Sequence, residues 1–415
     1  MFEEFFDGAS RVQELRNSLG GPLLEGFAEE LSLAGYAEIT ARRHIRAAEH
    51  LIYWLGCEGI SISSMTEKFI ERFDRHLNGC QCAHYGHTHR SDLLNGVRLF
   101  LKHLRGAGEI TAAIDQPTAQ DPVLLAAFCE WMRRQRGTCD LTLYNYSLSI
   151  RDLLKRFDED PERFDAKGLR EFVLEKSQQC GWAAAKKCTT ALRMFLRFLI
   201  AEGKCLSNLY AAIPVLAHWR LSSLPRYLQS EEVERLIFSC DPNSPVGRRD
   251  RAILLLLARL GLRAGDIVQL RLGDIDWEDA VIHVSGKGRR EVGLPLTEEV
   301  GWALAAYLQD GRPRTDTDVL FVRSRAPFRA FASHSAVSVI VAQAMRRAGV
   351  TCKSRGAAHV LRHSAATSML RQGASLQDIA DILRHRSIET TQIYAKVDVT
   401  ALRQIAQPWP EVQPC

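Results

Sequence analysis

Near its C-terminal end this 415-residue chain reads LRHRSIETTQIY over 383–394. His385 and Tyr394 lie in that stretch, nine positions apart. Taken alone, a tyrosine on a short, amphipathic, solvent-facing segment is a packed ring with a wet hydroxyl. Three stretches upstream change that reading. In LGLRAGDIVQLRLGDID (260–276), Arg263 follows a helix-ending glycine and opens the next helix. A guanidinium beside helix N-terminal amides makes a seat for an anion. Asp266 shares its face and is placed to hold that guanidinium, although a plain N-terminal ion pair would look the same. In SGKGRR (285–290), Lys287 sits between glycines at a hairpin tip. It can reach into a neighbouring site and withdraw, or serve solubility alone. In AHVLRHSAATSMLRQG (358–373), His359 and Arg362 share one helical face. Arginine repels a metal ion, and no HExxH is present. A guanidinium that grips oxyanions bidentately suits a phosphate group better.

The elements that must position these residues follow from periodicity. SEEVERLIF predicts a helix with Ser230 as N-cap and Glu231 and Glu232 in its first turn. RDRAILLLLARLGL predicts a buried helix that ends at Gly261. The period then falls to two, so VIHV (281–284) and EVGLPL (291–296) read as short strands around a glycine-bearing loop. SLQDIADILRHRS has Ser375 and Asp378 as a capping box, with His385 ending the helix. Ser387 caps the next short helix, which carries Tyr394. The expected fold is mostly α, with a small antiparallel β-sheet in an α+β domain.

The first half repeats itself. EITARRHIRAAEHLIYWL (38–55) parallels DLTLYNYSLSIRDLLKRF (140–157), and VRLFLKHL (97–104) parallels LRMFLRFL (192–199). Thr40 and Thr142 read as N-caps, and glycines at 106, 108 and 203 as helix stops. This predicts one helical module within 1–115 and a second over 120–213, joined by the polar, proline-bearing TAAIDQPTAQDP. Arg42, Arg43, Arg46, Lys186, Lys187, Arg193 and Arg197 are candidates for phosphate contact in these modules. Each of them alone is also what the wet face of a helix carries. A further boundary falls at 214–229, before a domain over 225–406 and a tail at 407–415.

Bulk composition excludes several classes. The chain is 46% hydrophobic and 25% charged with net charge +5, ordinary for globular domains with a mild bias toward polyanions. Eleven scattered cysteines, an odd number, suit reduced thiols in a cytosol. The acidic start MFEEFFDGAS is no signal peptide, and AILLLLA is too short to cross a bilayer. A soluble, cytoplasmic protein with no membrane partner is expected.

The four boxes, GLRAGD, SGKGR, HVLRHSAATSML and LRHRSIETTQIY, stand in the order and at about the spacing of the tyrosine site-specific recombinases, the phage-integrase family. The resemblance covers about 225–406. Residues 120–213 resemble, more weakly, that family's SAM-like core-binding domain, and the module before it is an additional copy. Such enlargement looks like recombinases of transposons and other mobile elements. The resemblance implies that Tyr394 is the nucleophile, forming a 3′-phosphotyrosyl bond and freeing a 5′-hydroxyl. Arg263 and Arg362 would hold the non-bridging oxygens, and Lys287 would protonate the leaving oxygen. His359 would assist proton transfer from the tyrosine, His385 would hydrogen-bond the phosphate, and Asp266 would support from behind, where the family more often has glutamate. It implies no cofactor, because the covalent bond stores the energy for rejoining. Implied partners are double-stranded DNA and four protomers on two DNA sites, with companion recombinases a possibility left open. Two other readings stay open: a type IB topoisomerase-like enzyme, and a DNA-binding protein that does not cut.

One further cluster stands apart. CQCAHYGHTH (80–89) packs Cys80, Cys82, His84, His87 and His89 into ten residues. The residue types suit zinc, but the spacing does not match the usual cysteine pairs and no distant second pair is evident. A plain interhelical loop is the expectation. The tail is expected either to pack on a neighbouring protomer or to fray.

Overall fold

The protein is described from a computed structural model covering residues 1–65, 68–82, 89–110, 121–206, 208–216, 224–285, 291–351, 356–385, 387–397 and 402–403. The described residues fall into two compact units, one within 1–112 and 221–415, the other within 113–220. The N-terminal helices are α1 (Ala9–Asn17), α2 (Gly21–Leu33), α3 (Glu38–Cys57), α4 (Lys68–His76) and α5 (Arg90–Gly106). They enclose their own core of Phe27, Ile45, Leu51, Phe73, Phe100 and neighbours. Helices α3 and α5 can approach closely because α5 has Gly96 at the crossing. A Cβ there would meet the Ala47 Cβ at 2.7 Å.

The unit within 113–220 holds α6 (Val123–Arg136), α7 (Asp140–Arg156), α8 (Ala166–Gln179), α9 (Trp182–Ala201) and the short α10 (Leu209–Ala212). Its core centres on Phe128, Ile150, Phe172, Leu192 and Phe195. The repeat read from sequence corresponds to α3 with α7 and α5 with α9. The caps differ from expectation. Helix α3 starts at Glu38 after Ala37, and α7 at Asp140 after Cys139, so Thr40 and Thr142 lie inside the first turns. An acidic residue at the first position complements the helix dipole in both copies.

The C-terminal part is built on α12 (Pro245–Ala258), which follows α11 (Ser230–Phe238). Residues 252–257 of α12 are fully buried, as a helix apolar on all sides must be. Ser244 caps it by accepting from the Gly247 amide at 2.9 Å, with Pro245 in the first turn. Helix α11 is capped by Gln229, one residue before the expected Ser230, through a bond from its backbone N–H to Glu232 at 2.9 Å. After α13 (Ala264–Gln269) come β1 (Ile275–Asp276), β2 (Val281–Ser285) and β3 (Glu291–Pro295), antiparallel in the order β1-β2-β3. Ile282 pairs with Leu294, and Val284 with Val292, so alternate side chains face the core. Helices α14 (Glu298–Asp310), α15 (Ser335–Arg347), α16 (Ala357–Arg371) and α17 (Leu376–Ile382) complete the domain. The fold is thus mostly α with one small antiparallel sheet, as the sequence led one to expect.

One of the ion pairs buried in this domain joins neighbours on α12. Arg249 donates from Nε and Nη2 to Asp250 Oδ1 at 3.1 and 2.7 Å, and the two side chains are 9% and 3% exposed. Asp250→Ala would strand a buried guanidinium, so it should cost about 3–5 kcal/mol of stability. Urea unfolding followed by fluorescence measures this. A loss near that of a surface substitution would show that Arg249 escapes to solvent.

Candidate active site

The site forms where three pieces of chain meet: the α12–α13 turn, the face of α16, and the segment after α17. Gly261 ends α12's last turn at φ +59°, a conformation that strains any side chain, and a Cβ would strike Leu383 Cδ2 at 2.4 Å. The chain can therefore turn sharply, and Arg263 becomes the residue before α13. Arg362, 3% exposed on α16, donates from Nη1 to the Gly261 carbonyl and from Nη2 to the Leu383 carbonyl. Arg263 Nη2 donates to the Arg384 carbonyl at 3.1 Å. Two guanidiniums from different elements are thus fastened to consecutive carbonyls of one turn.

Asp266 ties the start of α13 to the exit of α17. Its carboxylate accepts the Arg263 backbone N–H at 2.8 Å and forms an ion pair with the guanidinium of Arg384, a residue at φ +54°. Arg384 is part of the site without having been foreseen. Its Nε and Nη1 are buried with no hydrogen-bond partner among the described residues. The Asp266 carboxylate is thus shared between the Arg263 amide and the Arg384 guanidinium.

Tyr394 is not solvent-facing. Its segment splits into two 3₁₀ turns, Ile388–Thr390 capped by Ser387 and Gln392–Val397, and the tyrosine lies on the second. The ring is 1% exposed, packed with Ala366, Ile379 and Leu383. Its hydroxyl lies 2.8 Å from His363 Nδ1. His363 is one helical turn beyond His359, and the two rings are 5.8 Å apart. Sequence reasoning named His359 and passed over His363, although HxxRH displays both. The i, i+4 spacing was the available signal. His385 Nδ1 lies 2.8 Å from Thr391 Oγ1, which ties the α17 turn to the tyrosine segment. Lys287 lies outside the described residues.

Burial and an excess of cationic groups dominate the electrostatics of the site. Burial, then repulsion from Arg263, pulls Arg362 down to about 10. Burial, then the charges of Arg362 and Arg263, lowers His385 to about 4, and His359 moves the same way. Burial, then His359 and Arg362, lowers His363 to about 4. At neutral pH His363 is uncharged, so its Nδ1 can accept from the phenol. Burial pushes Tyr394 up to about 12 against the pull of Arg362 and Arg263. The resting hydroxyl keeps its proton.

Among the DNA-contact candidates, Arg42 is spent on its own module, donating to the Phe5 carbonyl at 2.6 Å and pairing with Glu38 and Asp7. Arg193 is likewise spent on the Ile213 and Pro214 carbonyls at 3.0 and 3.2 Å. Arg43, Arg46, Lys186, Lys187 and Arg197 are exposed, the last stacked on Tyr210 at 4.8 Å. Of the zinc candidates, Cys80 and Cys82 are half-buried and His89 is exposed. His84 and His87 lie outside the described residues.

The histidine shift carries a pH dependence. The unfolded chain protonates His363 near pH 6.5, while the folded chain resists to about 4. Between these values the unfolded state binds more protons, so stability falls as pH falls through that window. His363→Asn should flatten the slope, removing on the order of 2 kcal/mol of the acid-side loss. Paired denaturation curves at pH 7 and pH 4.5 measure it, and equal slopes in the two proteins would refute the neutral, buried imidazole.

The phage integrase family profile matches residues 226–400, the part that holds every element of the site. The putative integrase/recombinase y4rA of Sinorhizobium fredii is 38% identical over 394 residues, covering 92% of this chain and 93% of that one. Tyrosine recombinase XerC of Oceanobacillus iheyensis is 34% identical over 230 residues, covering 54% of this chain and 72% of that one. The crystal structure of XerH site-specific recombinase bound to a palindromic difH substrate shares the fold. Its TM-score is 0.53 at 20% identity, over 88% of this chain and 95% of that one. The chain belongs to the phage integrase family and is a tyrosine recombinase.

Proposed function

We propose that this enzyme is a site-specific recombinase of a mobile element, which cuts and rejoins double-stranded DNA through a 3′-phosphotyrosyl intermediate. The observation that carries the reading is a tyrosine hydroxyl held by a neutral histidine, beside guanidiniums that outnumber the local carboxylates. Tyr394 Oη attacks the scissile phosphorus. The new P–O bond forms as the bond to the 5′-oxygen breaks. The phenolic proton passes to the His363–His359 pair, and Lys287 supplies one to the departing 5′-oxygen. Arg263 and Arg362 hold the non-bridging oxygens and offset the added negative charge of the transition state. His385 donates to the same phosphate, with Asp266 and Arg384 fixing the turn that carries it. Attack by a 5′-hydroxyl from another strand reverses the step and completes the exchange. Phosphodiester energy is conserved throughout, so the chemistry draws on no nucleotide and no metal.

The burial of Tyr394 fits a resting state. The 387–397 segment must shift for the oxygen to reach a phosphate, so cutting waits for DNA. The exposed Arg43, Arg46, Lys186, Lys187 and Arg197 are suited to backbone contacts that set position rather than sequence. The working form is four protomers on two DNA sites in the cytoplasm, with or without companion recombinases. The names of the relatives, integrase/recombinase and tyrosine recombinase, support the reaction class.

The test is covalent trapping on a nicked duplex drawn from DNA flanking the gene, without metal or ATP. The wild type should form a protein–DNA adduct and Tyr394→Phe none. Arg362→Ala should slow adduct formation on the order of 10²–10³-fold. An adduct that survives in Tyr394→Phe would overturn the assignment. Tight DNA binding with no adduct in the wild type would make the chain a binding protein.

A further inference from the structure

The N-terminal module contains a second site, distant in sequence from the catalytic boxes. His50 lies in the middle of α3 and is 2% exposed. His76 is the last residue of α4. Cys80 and Cys82 follow the short 3₁₀ turn Leu77–Gly79. Their ligand atoms all lie within 4.8 Å of one another. Cys80 Sγ is 3.3 Å from His50 Nε2, and Cys82 Sγ is 3.4 Å from His76 Nε2. A zinc ion with its usual bond lengths to sulfur and imidazole nitrogen, in a tetrahedron, sets sulfur and nitrogen ligands about 3.5 Å apart. The two printed sulfur–nitrogen separations match that spacing, and the remaining pairs, all within 4.8 Å, need only draw in around the ion.

We propose that His50, His76, Cys80 and Cys82 bind one zinc ion, in a structural site that joins α3 to the chain leaving α4.

The donor set selects the metal. Two sulfurs and two imidazoles suit zinc and reject magnesium or calcium, which want oxygen. Four protein ligands close the coordination sphere and leave no position for a substrate, as in structural sites. Binding forms two metal–sulfur and two metal–nitrogen bonds and releases the thiol protons to solvent, with no change of oxidation state. The surroundings are apolar. The His50 ring packs 5.1 Å from that of Phe73, and the His76 ring 5.6 Å from that of Trp54. These rings cover the site on the side of the module's core, where His50 is buried, while His76, Cys80 and Cys82 are half-buried. The ligands differ from those the sequence suggested. The two cysteines stay, but the histidines come from α3 and α4, and His89 at the start of α5 is not in the group. The consequence is mechanical. Helix α4 ends in a run of 3₁₀ turn and irregular chain with little apolar surface of its own, and the ion would tie it to the module's central helix.

The experiment uses the full chain, expressed with zinc and purified under reducing conditions. Elemental analysis should find about one zinc per chain. After removal by a chelator, adding cobalt(II) should produce a thiolate-to-cobalt charge-transfer band and the intense visible bands of tetrahedral cobalt. Cys80 and Cys82 should resist alkylation with metal bound and react without it. Cys80→Ser with Cys82→Ser should abolish both signals, whereas Cys180→Ser, at an exposed cysteine of the other unit, should keep them. Wild-type protein with substoichiometric zinc and no charge-transfer band with cobalt would overturn the proposal. It would leave the four side chains as hydrogen-bonded partners only. Because these readouts need neither DNA nor Tyr394, the result is independent of the recombinase reading.

Discussion

The site depends on one constraint, a turn whose carbonyl oxygens are held by arginine side chains from elsewhere in the chain. Arg362 bridges the carbonyls of Gly261 and Leu383, and Arg263 reaches that of Arg384. Carbonyls at a helix end have no partners within their own helix. Satisfying them with guanidiniums locks α17's exit against α12's exit and α16. The same bonds place His385 and start the segment that ends at Tyr394. Gly261 is what permits the arrangement, since its positive φ and missing side chain let Leu383 lie against it.

That solution leaves a charge problem. Carbonyls neutralise no charge, and Asp266 is engaged by Arg384. Positive potential accumulates in a buried place, where it is costly. Burial first, and then this positive charge, keeps the neighbouring histidines neutral and pulls Arg362 down to about 10. An incoming phosphate diester would relieve the imbalance. Its non-bridging oxygens would find donors already oriented, which is the condition for stabilising a transition state without reorganisation. The Tyr394 hydroxyl is kept protonated by the same burial.

The two helical modules each enclose a separate aromatic core. Each sets a long helix, α3 or α9, against partners through buried aromatics. In the first, histidines and cysteines intrude on the aromatic cluster around Phe73 and Trp54. The second has no corresponding group among its described residues. The buried His50 ring meets Cys80 Sγ at 3.3 Å. The repeat is thus a repeat of packing and not of chemistry.

The sequence by itself determined the secondary elements and the boxes. Apolar periodicity marked α12 and the two strands, and Ser375 with Asp378 formed the capping box as read. These are local effects, set by residues within a few positions of one another. Residue types and order also pointed to Arg263, Arg362 and Tyr394, which the fold gathers around the exit of α17. What only the tertiary structure decided was partnership. Asp266 turned to Arg384, His363 rather than His359 met the phenol, Arg42 and Arg193 closed on their own modules, and Cys80 and Cys82 found histidines on α3 and α4. Each is a contact between side chains separated by many residues or by choice among equivalent neighbours. Such contacts depend on crossing angles and turn conformations, including the left-handed Arg384, that no local pattern encodes.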